Sequence, residues 1–197
     1  MGSPYDGVPN DQWSATTKKL IAKHPLKGDD IVDVVLTAWN SIFETKLGGK
    51  FSIGKEINPK PQIMGFLMHE LIPLELESRY PGVWRTDQQK GDKDLNYIPD
   101  ATKSIELKTS SHASQIFGNR SYAQEQTEGA GKGKNGYYLA VNFQNFRIAG
   151  KERPSITLVR FGWLDHTDWI GQTSATGQQA RVSPFSDRTK LSVLYRS

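Results

Sequence analysis

At 197 residues and 22.1 kDa, with 36% apolar residues and a mean hydropathy of −0.57, the chain is expected to form one domain large enough to bury a core. No apolar run reaches the length of a membrane span, and the opening MGSPYDGVPNDQW lacks the layout of a secretory signal. With no cysteine there are neither disulfides nor cysteine-ligated zinc, so a cytoplasmic protein without a membrane partner is the expectation.

The net charge of +4 is unevenly spread. Residues 1–100 hold 12 Lys/Arg against 14 Asp/Glu, whereas residues 101–197 hold 13 against 7. That distribution suits a protein that holds a cation and a polyanion together.

Residues 1–12, rich in Gly, Pro, Asp and Asn, read as a flexible leader. Residues 14–24 form a short helix capped by Ser14 and ended near Pro25. Asp29 and Asp30 cap a clearer one, in which Ile31, Val34, Val35, Trp39, Ile42 and Phe43 recur at steps of three and four before Gly48-Gly49 stops it. This helix pair is either a dimer interface or a layer packed on a central sheet. A polar loop leads to a third helix over 61–79, with Pro61 in its first turn, a buried stripe of Ile63, Leu67, Leu71 and Leu74, and a kink at Pro73. Glu70 shares that stripe's sector. A carboxylate there needs a cation or donors, so it is either a metal ligand or a helix-edge residue paired with Arg79 or Lys60. His69-Glu70 begins an H-E-x-x pattern, but Pro73 stands where a zinc protease needs its second histidine.

After a turn at Tyr80-Pro81-Gly82 and a short strand over 83–85 comes DKDLNYIPDATKSIELKTSS, residues 92–111. Two strands, 95–98 and 104–108, joined by Pro-Asp-Ala-Thr, make a β-hairpin. Alternation places Glu106 and Lys108 on one side and Leu107 on the other, while the antiparallel return brings Asp94 beside them. Two carboxylates and an ammonium can hold a hard cation against a phosphate and orient water, which is the equipment of phosphodiester hydrolysis. E-x-K by itself also fits an ordinary surface Glu/Lys pair.

An aspartate before an apolar strand, E-x-K on the next and polar KTSSH after it resemble the PD-(D/E)xK nuclease superfamily. The literal Pro99-Asp100 sits on the turn, too near Glu106 to face it, so Asp94 ranks first as carboxylate, Asp92 second and Asp100 third. HELIPLELESRYPGVWR, DKDLNYIPD and SIELKTSSHASQIFGNRSYAQ, spanning roughly 62–124, are similar to the ScaI-type family of type II restriction endonucleases. The resemblance implies an α/β restriction-endonuclease-like fold with a mixed central β-sheet flanked by helices. It implies Mg²⁺, with Mn²⁺ able to substitute, held by Asp94, Glu106, the Leu107 backbone carbonyl and Glu70, with Lys108 assisting the attacking water.

Residues 110–124 are dense in hydrogen-bonding side chains and contain no acid. Ser110, Ser111, His112, Ser114, Gln115, Asn119 and Arg120 are the candidate DNA contacts, since Arg can fork to guanine and Asn or Gln to adenine. A solvated loop is the alternative. No G-x-S-x-G elbow accompanies Ser110, Ser111 and His112, which argues against a serine hydrolase. Gly131, Gly133 and Gly136 form a literal G-x-G-x-x-G, but it precedes a strand where a dinucleotide fingerprint follows one. It reads as a flexible loop, with Lys132 and Lys134 as optional backbone contacts. Strands follow over 137–143, 156–163 and 191–195. Between them, 165–188 is a second candidate recognition segment, expected to order on DNA.

The expectation is a homodimeric type II endonuclease that cuts double-stranded DNA at a short palindrome and leaves blunt ends. A structure-specific nuclease of the same superfamily, such as a repair enzyme or junction resolvase, and a non-catalytic DNA-binding module are the rivals.

Overall fold

The structure is a computed structural model that describes residues 2–125, 133–150, 153–174 and 176–197. Its elements in chain order are α1 (Trp13–Ala22), α2 (Gly28–Glu44), β1 (Lys46–Leu47), β2 (Phe51–Ser52), α3 (Pro61–Arg79), β3 (Trp84–Thr86), β4 (Leu95–Tyr97), β5 (Ile105–Ser110), β6 (Phe117–Asn119), β7 (Gly136–Phe143), α4 (Phe146–Ala149), β8 (Ile156–Leu164), β9 (Trp169–Gly171), β10 (Gln179–Val182), α5 (Pro184–Lys190) and β11 (Leu191–Arg196).

The central sheet has six strands in the order β11-β8-β7-β5-β4-β3. It is mixed, because β5 and β7 run parallel while their outer neighbours are antiparallel. Strand alternation gives it two unlike faces. One carries Ile105, Leu107, Tyr137, Leu139, Val141, Val159 and Phe161, and packs against Ile31, Val35 and Trp39 of α2 and Met64, Met68 and Ile72 of α3. The apolar face of α2 is therefore spent inside the chain, which decides for sheet packing over a dimer interface.

The other face carries Tyr138, Ala140 and Leu164 beneath a second sheet of order β6-β10-β9. Neither β9 nor β10 is visible in the sequence. The 165–188 segment, expected to stay loose until DNA binds, is ordered by Trp169, Ala180 and Val182, which alternate inward onto this cluster. Gly162 on β8 allows the chain to double back, since a Cβ there would meet the Lys190 carbonyl oxygen at 1.9 Å.

The first residues are also packed, not loose. Lys190 is buried, donates to Asp165 Oδ2 at 3.0 Å and Asp168 Oδ2 at 2.9 Å, and sits over the rings of Tyr5 and Trp13 at 4.1 and 4.2 Å. Ser3 Oγ donates to the same Asp165 oxygen at 2.6 Å. A buried ammonium needs paired carboxylates, and one of the two rings against it, Tyr5, comes from the segment read as a leader.

α3 has the expected bounds but a different buried stripe. Met64, Gly65, Met68, Ile72, Pro73 and Leu76 face inward, Leu67 and Leu71 are part-buried, and Ile63 and Leu74 are 52% and 51% exposed. Apolar residues surround this helix, so periodicity does not select a face. Contact does: a Cβ on Gly65 would lie 2.9 Å from Thr109 Oγ1, so the helix seats its one glycine against the end of β5. Between α2 and α3, the expected polar loop holds a small hairpin, β1–β2, whose turn places Gly48 and Gly49 at φ 61° and 70°.

Candidate active site

Leu95 pairs with Ile105 across β4 and β5. One step further along this antiparallel pair, Asp94 lies opposite Glu106, and Glu106 is in turn paired with Tyr138 of β7. The row runs along the face turned away from α2 and α3. Asp94 Oδ2 accepts from the Leu107 backbone N–H at 2.6 Å. Lys108 Nζ donates to Glu106 Oε1 at 2.7 Å and to the Leu107 carbonyl at 3.0 Å. Asp94, Glu106, Leu107 and Lys108 are thus brought together.

The Glu106 side chain is 2% exposed and that of Lys108 11%, so the pair is not a surface ion pair. Burying two charges costs more in lost hydration than their attraction usually returns. A pair kept under those terms points to chemistry rather than stability. The hard oxygens of two carboxylates and one carbonyl form a donor set that fits a divalent cation retaining several waters. Among the described residues no group of three or more His, Cys, Asp or Glu gathers at any point, and here the carboxylates number two, Asp94 and Glu106.

Tyr122 joins this site without any signal in the sequence. It lies in a 3₁₀ turn over Arg120–Ala123, directly after β6, and its hydroxyl donates to Glu106 Oε1 at 2.5 Å. Its ring carries Lys108 Nζ at 4.8 Å and Lys134 Nζ at 4.1 Å. Lys134, one of the two optional DNA contacts, therefore lies beside the carboxylates, while Lys132 falls outside the described residues. Tyr138 donates to the Lys134 carbonyl at 2.5 Å. Burial raises the Tyr138 hydroxyl well above its usual pKa, with the Glu106 and Asp94 carboxylates adding to the rise. It stays protonated.

The other two candidate aspartates are occupied elsewhere. Asp92 accepts from Arg85 at 2.7 Å and from the backbone of Gln88 and Gln89, which pulls its carboxyl down to about 2. It closes a loop. Asp100 caps the Ala101–Lys103 turn through the Thr102 N–H and hydroxyl. Glu70 is not gathered with the trio. It lies exposed on the outer side of α3, and Arg79, offered as its partner, bonds to Glu75, Asp33 and Thr37 instead.

The candidate DNA contacts divide into two groups. Exposed His112, Ser114 and Asn119 and part-buried Ser110, Ser111 and Gln115 lie on the loop and strand after β5. Ser110 Oγ accepts from the His112 N–H, and His112 Nδ1 accepts from the Ser114 and Gln115 N–H groups, so these side chains shape the loop. Arg120 turns its guanidinium to the carbonyls of Ser174 and Gly177 at 3.2 and 3.3 Å and braces a second loop.

Behind the first loop lies a buried network that the sequence does not announce. Asn142 Nδ2 donates to the carbonyls of His112 and Gln115, and Arg160 donates to the Ser114 carbonyl, to Asn142 Oδ1 and to Asp187. Burial draws the Arg160 guanidinium down and pushes the Asp187 carboxyl up from their usual values.

An aspartate at the head of one strand and Glu-x-Lys on the next, in a mixed sheet flanked by helices, define a restriction-endonuclease-like fold of the PD-(D/E)xK type. The family model described as ScaI restriction endonuclease matches residues 3–195. The chain is 49% identical over 193 residues to the type II restriction enzyme ScaI of Streptomyces caespitosus, an alignment covering 98% of this chain and 85% of that protein. This chain belongs to the ScaI restriction endonuclease family. The match reaches well beyond the 62–124 stretch that carries the resemblance in the sequence.

Proposed function

We propose that this protein is a type II restriction endonuclease that hydrolyses phosphodiester bonds of double-stranded DNA at a short palindrome, with Mg²⁺ as cofactor and Mn²⁺ able to replace it. The observation that carries this reading is the convergence of Asp94, Glu106 and Lys108 on one face of the β4–β5 hairpin. Asp94, Glu106 and the Leu107 carbonyl would hold the cation, which supplies Lewis-acid stabilisation to the charge that grows on the phosphate. Lys108, fixed between Glu106 Oε1 and the Leu107 carbonyl, orients water toward the phosphorus. Tyr122 locks the Glu106 carboxylate in the rotamer this requires.

Incubating the protein with phage DNA and Mg²⁺ and resolving the products on a gel tests the reading. Discrete bands are expected from the native chain and none from Lys108→Ala, which loses at least about 100-fold in rate. A continuous smear would mark structure-directed cutting, and retardation without cutting a binding module. End analysis of the products checks for blunt termini, which the resemblance implies.

A homodimer is the second part of the proposal, because a two-fold protein matches a two-fold site. Support comes from the outer face of α3. Ile63, Phe66 and Leu74 are 52%, 59% and 51% exposed there, around Glu70 on the same face, and exposed apolar side chains grouped this way mark an interaction surface. Through Gly65 this helix abuts Thr109, the residue after Lys108. Pairing of two copies along α3 would set two catalytic strands about one dyad. Phe66→Ser is expected to shift sedimentation toward the monomer and slow double-strand cleavage, and an unchanged dimer would remove α3 as the interface.

A further inference from the structure

We infer that the outward face of the β6-β10-β9 sheet is the surface that reads base edges in the DNA major groove, with Arg181 and Gln179 as its specificity-determining residues. This deepens the proposed function and rests on it for the identity of the duplex as ligand. The two stretches that the sequence separates, 117–119 and 169–182, form one antiparallel sheet, in which Arg181 pairs with Phe117 on one side and Ile170 on the other, and Gln179 pairs with Asn119. Alternation turns Trp169, Ala180 and Val182 into the core and leaves Arg181, Gln179, Asn119 and Ile170 exposed, with Phe117 partly so. A guanidinium stands at the centre of the sheet between two apolar side chains, and two carboxamides lie in the adjoining row.

Three observations make that face a nucleic-acid surface. It is continuous with the active site, because β6 runs directly into the turn whose Tyr122 bonds Glu106. Neither 107–124 nor 169–186 contains an acidic residue, although acids make up 21 of the chain's 197 residues. Arg181, unlike Arg79, Arg85 and Arg160, forms no ion pair with any described residue. Its fork is left for a ligand.

Geometry then selects the groove. A two-stranded ribbon, here β10 with one neighbour at about 4.8 Å between strand centres, is what the major groove admits, and the minor groove, about 6 Å wide, is too narrow for it. In the major groove the Arg181 fork matches guanine O6 and N7, carboxamides at Gln179 and Asn119 match adenine N6 and N7, and apolar flanks match thymine methyls. Arg120, whose Nη1 donates to the carbonyls of Ser174 and Gly177, braces the loop beside this sheet.

Selection from a randomised duplex library, in Ca²⁺ so that DNA is retained uncut, tests the inference on the full chain. The native protein and Lys108→Ala are expected to enrich one common palindrome. Arg181→Ala should lose preference at one base pair and its symmetry mate by about 10- to 100-fold, and Gln179→Ala should do so at a different pair. Arg181→Lys, which keeps the charge but not the fork, should retain overall affinity and lose the same base preference. Identical enriched sequences from Arg181→Ala, Gln179→Ala and the native chain would overturn the inference, as would absence of any enriched sequence. Enrichment by a native protein that then fails to cut in Mg²⁺ would sink the nuclease reading and leave the reading surface standing.

Discussion

The two faces of the central sheet are built from the same strands and do opposite work. On the side of α2 and α3, Ile105, Leu107, Leu139, Val141 and Phe161 meet helices that supply only apolar side chains at the contact. On the other side, Glu106, Lys108, Asn142 and Arg160 occupy the alternate positions of the same strands, under a small sheet of few aliphatics. Hydrophobic burial on the first face stabilises the fold, at about 25 cal/mol per Å², and that surplus offsets the cost of charges held out of water on the second. One strand thereby separates apolar packing from buried charge residue by residue.

Adjacent substitutions in β5 should split the two most sharply. Leu107→Ala removes a fully buried side chain and is expected to cost about 2–5 kcal/mol in urea unfolding, with cleavage by the surviving folded fraction near normal. Lys108→Ala, one position on, leaves the 2%-exposed Glu106 without its ammonium and is expected to cost up to about 3 kcal/mol as well, but to abolish cleavage by the folded fraction. A Lys108→Ala protein that cuts well would erase the division.

Arg160 blurs the comparison, because it lies on the chemical face yet is 3% exposed and ties Asp187, Asn142 and the Ser114 carbonyl together. Arg160→Met should cost about 3 kcal/mol, the low end for breaking a buried pair, since Asp187 keeps 26% exposure. The double substitution Arg160→Met with Asp187→Leu should restore much of that stability while the 111–116 loop, without its bond to Ser114, remains misplaced. Urea unfolding beside cleavage measurements separates these effects. Recovery of both together would make the network structural alone.

What could be read from the sequence follows from how local each feature is. The β4–β5 hairpin and its trio are legible because alternation and antiparallel return are decided within twenty residues or so, and Asp94 outranks Asp92 and Asp100 by register. The stripe of α3 is not, since IMGFLM and LIPL leave no polar side to orient it, so the sequence cannot choose between Glu70 as a metal ligand and Glu70 as a helix-edge residue. β6, β9 and β10 are three or four residues long, too short for alternation to mark them, and β10 pairs with β6 some sixty positions away, a distance over which no local pattern survives. Tyr122 and Asn142 act only through tertiary returns. Each reads as an ordinary residue of a loop or core strand until the chain is folded.

The smallest effect crosses from one face to the other. His24 is fully buried on the apolar side, with its ring centroid 4.5 Å from that of Tyr137 and 4.9 Å from that of Phe161. Leu26 N–H donates to Nδ1 at 3.2 Å, so the proton sits on Nε2, which donates to the Lys103 carbonyl at 3.0 Å. Lys103 ends the turn that joins β4 to β5, and a neutral imidazole behind the sheet thus steadies the hairpin that carries the trio. Burial pulls the His24 pKa below its usual 6.5. The folded state refuses a proton that the unfolded chain accepts, so this contribution is complete above pH 6.5 and is lost as the pH falls below it, down to the depressed folded value. The loss should run at no more than about 1.4 kcal/mol per pH unit. Asp92, held at about 2 by Arg85, does not titrate in that window. Urea unfolding at pH 7.5, 6.5 and 5.5 should show little change over the first interval and a fall over the second, whereas His24→Gln, which can still donate to Lys103, should be flat across both. Equal slopes in the two proteins would leave His24 without a part in holding the catalytic turn from behind.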